Sequence, residues 1–121
     1  MVGLACFIVM LWVCPEAQTD PEPPPPTTPA VLIEQAGFPR KHWDELLDIV
    51  ACESAGNARA VNLNTKGQWA GTEDVGLWQI NTTIWAELVA TGDVYDPQDN
   101  TRMAKQIYDI QGLDAWVCHR L

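Results

Sequence analysis

The sequence predicts an α+β fold in which helices dominate and a small β-hairpin region is inserted between them. Three observations carry this reading. Trp43, Leu46, Leu47 and Val50 recur at i, i+3, i+4 and i+7, the spacing of one helical face. The stretch that follows, NARAVNLNTKGQWAGTED (residues 57–74), is rich in Asn, Gly and Thr and reads as turns and short hairpin strands. Two more helical patterns then close the chain.

The chain of 121 residues has room for one domain. Its first 14 residues are read as an export signal or anchor, because residues 2–13, VGLACFIVMLWV, form an unbroken apolar run. That run has signal-peptide length and is short for a membrane span, so membrane anchoring through residues 2–13 stays open beside cleavage. Residues 15–30 follow as a proline-rich linker. Four consecutive prolines at residues 23–26 favour extended polyproline II, a semi-rigid spacer. Residues 31–121 are expected to form the folded domain.

Within it, Pro39 suits a start just before the first helix, and Gly56 with Asn57 suits its end. VGLWQIN (75–81) is short, β-branched and aromatic, and is read as a strand or the lead into one. Ile84, Trp85, Leu88 and Val89 predict a second helix closed by Gly92. Asn100 is expected to cap a third, with Met103, Ala104, Ile107 and Tyr108 inward and Gly112 at its end. There is no internal repeat.

Net charge is −9, which repels nucleic acid phosphate and anionic lipid surfaces, so nucleic acid is not expected as a partner. Six tryptophans are many for this length, and indoles are good platforms for sugar rings. Only Cys52 and Cys118 of the four cysteines fall in the domain, one towards each end. In an exported chain one disulfide between them is the economical reading; in a retained one, two buried thiols are. Two distant cysteines and the isolated His42 and His119 do not make a zinc site, and both histidines are expected at the surface. Asp93, Asp96 and Asp99 lack EF-hand spacing and are read as a solvated loop. No metal and no cofactor are expected.

Glu53 sits on the flank of the first helix's apolar face, in its last turn. A carboxyl held against tryptophan and aliphatic side chains resists ionisation, and a protonated carboxyl near neutral pH can donate to a leaving group. Glycoside hydrolysis needs such an acid, often with a second carboxylate across the sugar, for which Asp74 is the candidate. A water-exposed glutamate at a helix end is the plainer alternative.

Several motifs now match known families. DVGLWQIN (74–81) resembles the D-x-G-x-x-Q-I-N strand of c-type lysozymes, and ESAGNARAVNLNTKG (53–67) is similar to their segment from the catalytic glutamate through the hairpin turn. ACESAGN and QGLDAWVC (111–118) resemble the two ends of the resuscitation-promoting-factor domain, whose corresponding cysteines are bonded. GLWQIN, DPQDN (96–100) and the closing helix through Trp116 are similar to the soluble lytic transglycosylase domain. All three share the lysozyme fold, and the resemblance spans roughly residues 40–118.

The resemblance implies cleavage of the β-1,4 bond between N-acetylmuramic acid and N-acetylglucosamine in peptidoglycan. Glu53 would be the general acid and Asp74 the second carboxylate of a muramidase. Gln79 and Asn81 would line the sugar groove, and Cys52 and Cys118 would be bonded. Trp69 or Trp78 is read as stacking on a sugar face, with a place in the core the equal alternative for either. Lytic transglycosylases dispense with the second carboxylate and close a 1,6-anhydro ring, which is the first alternative. A non-catalytic wall-binding module is the second. The partner would be a peptidoglycan strand, the chain a monomer, and its location secreted or envelope-associated in a bacterial or phage setting. The stretch from Glu53 to Asp74 is a few residues longer than in c-type lysozymes, which leaves Asp74 the less certain of the two carboxyls.

Overall fold

The computed structural model describes residues 27–121. The apolar run, most of the proline-rich linker, Cys6 and Cys14 lie outside the described residues. The fold is α+β, as the sequence predicts, with four helices, three short strands and several 3₁₀ turns among the described residues.

Helix α1 (Pro29–Gln35) takes in the last two positions assigned to the linker. Thr28 caps it, its Oγ1 accepting from the Val31 amide, and Pro29 fits the first turn because no partner is needed there for its missing N–H. Seven residues give too little periodicity to be recognised in sequence, so this helix was not expected. It buries Leu32 and Ile33.

After a 3₁₀ turn at Arg40–His42, helix α2 (Trp43–Ser54) runs along the expected face, with Leu46 and Val50 buried and Trp43 and Leu47 packed at the margin. His42 is less free than expected, its Nδ1 standing 2.8 Å from the Tyr108 hydroxyl. Helix α2 is terminated by Ala55 and Gly56, both left-handed, at φ 53° and 75°.

Strands β1 (Val61–Leu63), β2 (Glu73–Val75) and β3 (Ile80–Asn81) form an antiparallel meander in the order β1-β2-β3. The strand expected over 75–81 is mostly a tight turn. Gly76 at φ 83° and Gln79 at φ 51° reverse the chain, and the Gln79 amide donates to the Gly76 carbonyl. A Cβ on Gly76 would run into Asn100 Nδ2 and Val94 O, so glycine is required there for space as well as conformation.

Helix α3 (Ala86–Val89) is a single turn, with Trp85, Leu88 and Val89 against the core and Ile84 exposed. Helix α4 (Pro97–Gln111) begins earlier than expected. Asp96 is its cap, accepting from the Asp99 amide, and Pro97 opens it. Asn100 lies inside it and is wholly buried. Gly112 ends the helix, as the sequence predicts. The three loop acids have local roles: Asp99 accepts from the Asp93 amide and Asp93 from the Tyr95 amide, while Asp96 caps.

The core is centred on Trp78, which has no exposed surface. Phe38 stacks on it with ring centroids 5.3 Å apart, and Trp116 leans on it at 5.2 Å. Both indole N–H groups are satisfied in the interior: Trp78 donates to Thr101 Oγ1 and Trp116 to the Trp78 carbonyl, each at 3.0 Å. Cys52 and Cys118 form a disulfide with their Cα atoms 5.9 Å apart. It joins α2 to the 3₁₀ turn at Val117–Arg120 across a separation of 66 residues. In the chain-entropy picture a loop of that length contributes about 4 kcal/mol of stability.

Candidate active site

The sheet presents a polar face by simple register. Asn62 lies opposite Asp74, and Asp74 opposite Asn81, so the pleat sends all three side chains to the same side. Val61, Val75 and Ile80 align on the other side, where Val75 and Ile80 are buried. Helix α2 brings the end of its last turn towards the polar face, and the C-terminal segment from Gly112 closes the far wall. Between them lies a cleft of about 330 Å³ lined by Glu53, Asp74, Asn81, Trp69 and Arg120 among others.

Glu53 enters from the next-to-last position of α2, half-buried, and its Oε1 accepts from the Cys118 amide at 3.2 Å. Burial raises its pKa above the ordinary 4.5, since the charged form loses water. The Cys118 amide pulls the other way, the Asp74 charge adds to the rise and Arg120 opposes it. The disulfide therefore supports the acid directly: one of its cysteines precedes Glu53 in the chain and the other hydrogen-bonds to it.

Asp74, central in β2, is oriented by Asn64, whose Nδ2 lies 3.1 Å from its Oδ1. The same amide reaches Thr72 O and Oγ1. Thr72 Oγ1 in turn donates to the Trp69 carbonyl and accepts from Asn81 Nδ2. One network thus fixes Asp74, Asn81 and the loop carrying Trp69. Asn81 Oδ1 is occupied by the Thr83 and Ile84 amides, which shape the turn into α3.

The expected site residues divide into groups. Glu53, Asp74, Gln79, Asn81 and Trp69 all line the cleft, and Trp69 is 44% exposed on its edge. Gln79 is held internally, however. Its Nε2 donates to the Ala60 and Gly76 carbonyls, and its Oε1 accepts from Asn62. Trp78 is a correction: fully buried and hydrogen-bonded to Thr101, it has no face to offer a sugar. The turn between β2 and β3 points Trp78 inward, which the motif alone does not reveal.

Asn64 and Arg120 are among the cleft residues that were missed. The i, i+2 spacing of Asn62 on β1 and Asn64 just past its end was the available signal for Asn64, since an extended chain puts both on one face. Arg120 could have been found from the disulfide, being two residues beyond Cys118 and so tethered near Glu53.

A comparison with curated proteins finds no match. A family model described as a lysozyme-like domain matches residues 30–118, which takes in most of α1, the sheet, the cleft residues other than Arg120 and both bonded cysteines. With that span matched and a helix-borne glutamate facing a three-stranded sheet across a cleft, the chain belongs to the lysozyme-like domain family.

Proposed function

We propose that the protein is a muramidase, cleaving the β-1,4 bond between N-acetylmuramic acid and N-acetylglucosamine in peptidoglycan. Membership of the lysozyme-like family points to a peptidoglycan-acting glycosidase or transglycosylase at the cell envelope or outside the cell. The finer reading rests on one observation: Glu53 and Asp74 line the same cleft in different environments. Burial favours the protonated form of Glu53, while Asp74 receives the Asn64 amide on a polar sheet face.

The division of labour follows from those environments. Glu53 donates its proton to the glycosidic oxygen as the C1–O bond breaks, so the leaving sugar departs as an alcohol rather than an alkoxide. Positive charge builds at C1, and the Asp74 carboxylate stabilises it or bonds to it. Glu53, now ionised, then takes a proton from the water that completes hydrolysis. Trp69 supplies an apolar face at the edge of the cleft for a sugar ring. The apolar run at residues 2–13 and the spacer that follows fit delivery of the domain to the envelope.

Mass spectrometry of digested peptidoglycan tests this reading. Reducing muramic ends are expected. Products ending in 1,6-anhydromuramic acid would make the protein a lytic transglycosylase, and an undigested but bound wall would make it a binding module.

A further inference from the structure

Arg120 is the one cation among the described residues that line the cleft, where it joins two carboxyls, Glu53 and Asp74. On a chain with a net charge of −9, a positive group in that position is unlike the surrounding surface. Its guanidinium has no ion-pair partner among the described residues, whose pairs are Arg102–Asp99, Lys105–Asp109 and His119–Asp114. Its backbone is also held near the cleft. The 3₁₀ turn Val117–Arg120 contains Cys118, bonded to Cys52 beside Glu53, so Arg120 stays at the cleft through a short tether. An unpaired guanidinium on a tethered stretch of backbone is suited to a carboxylate, which it binds through two parallel N–H···O bonds.

Peptidoglycan carries such a group and chitin does not. Muramic acid bears a lactyl arm whose carboxyl is either free or joined to a stem peptide with carboxylates of its own. With Glu53 protonated, the cleft holds one negative and one positive lining group, Asp74 and Arg120. We propose that Arg120 binds a carboxylate on the muramic acid arm, and so makes the cleft prefer peptidoglycan strands to neutral N-acetylglucosamine oligomers. This rests on the reading of the cleft as a glycan site.

The test measures binding in a Glu53→Gln background, so that no ligand is consumed, with and without Arg120→Gln or Arg120→Lys. Three soluble ligands are compared: a chitooligosaccharide, a peptide-free peptidoglycan oligomer with free lactyl carboxylates, and the same oligomer bearing stem peptides. Arg120→Gln is expected to lower the affinity ratio of carboxylated to neutral ligand by about two- to fivefold, the usual size of an ion pair at an exposed site. Arg120→Lys should recover part of it, and added salt should shrink the ratio of the parent protein. A loss on the peptide-free oligomer identifies the lactyl carboxylate, and a loss confined to the peptide-bearing one identifies the stem. An unchanged ratio, or equal losses on all three ligands, overturns the proposal. Cleavage of peptidoglycan by the wild-type chain is scored separately. If it fails while the ratio still depends on Arg120, the catalytic reading is wrong and the carboxylate site stands.

Discussion

Replacing Asn100 with alanine should cost more stability than any exposed change, because one buried amide joins three separate pieces of backbone. Its Oδ1 accepts from the Trp78 amide at 2.8 Å, and its Nδ2 donates to the Val75 and Val94 carbonyls at 3.2 and 2.8 Å. The first two partners are buried and the third is partly so. Alanine leaves the Trp78 N–H and the Val75 C=O without a partner and without water, at about 1–3 kcal/mol each. Val94 can turn to solvent and adds little. A loss of about 2–6 kcal/mol is a large part of the 5–15 kcal/mol typical of a domain. At about 4–8 °C per kcal/mol for a domain of this size, a mid-range loss of about 4 kcal/mol lowers the melting temperature by roughly 16–32 °C. Asn100→Asp supplies the control. It keeps the acceptor for Trp78 but turns a carboxylate oxygen towards two carbonyls, so it should be as damaging at pH 7 and recover in acid, where a protonated carboxyl donates again. Thermal melts across pH measure both. A drop under about 4 °C for Asn100→Ala, equivalent to less than about 1 kcal/mol, would refute the claim that this amide holds β2 and its turn to α4.

Two further outcomes follow from the site. The pKa of Glu53 is raised in the folded protein, so its contribution to stability is fully present below the unfolded value near 4.5 and is lost as pH rises through the folded value. Glu53→Gln has no such loss, and its melting temperature relative to wild type should climb between pH 4 and pH 8; a flat difference would mean that burial does not raise this pKa. The two tryptophans should separate cleanly. Trp78→Ala should lose about 3–5 kcal/mol of stability through the core cavity, whereas Trp69→Ala should melt like wild type and bind glycan a few-fold more weakly, in keeping with the roughly 0.5–1.5 kcal/mol of an aromatic contact. Equal melting losses for both would contradict the assignment of one to the core and the other to the cleft edge.

What the sequence made legible was local. The face formed by Trp43, Leu46, Leu47 and Val50 repeats within two turns, so α2 could be read directly, and Gly112 at the end of α4 needed no distant partner. Motif resemblance carried Glu53, Asp74 and Asn81, and these do line one cleft. The failures share a cause. Asn100 has the residue type of a cap, but its partners lie 22 and 25 residues away, a contact that only the folded chain creates. Trp78 sits in a motif whose neighbours face the groove, yet the left-handed turn through Gly76 and Gln79 sends it inward. Arg120 reaches the site because of a disulfide spanning 66 residues, and helix α1 is too short to declare itself by period.

The most direct measurement of the central claim is release of soluble fragments from purified peptidoglycan by wild type and by Glu53→Gln, with a melt of each protein alongside. Glutamine keeps an acceptor for the Cys118 amide but has no proton to give to the leaving oxygen. Loss of a general acid predicts a rate lower by about 10²–10⁴-fold in a protein that melts no lower than wild type at pH 7. A Glu53→Gln protein that is folded and still releases fragments at more than about a tenth of the wild-type rate, far outside that range, would contradict the assignment of Glu53 as the acid.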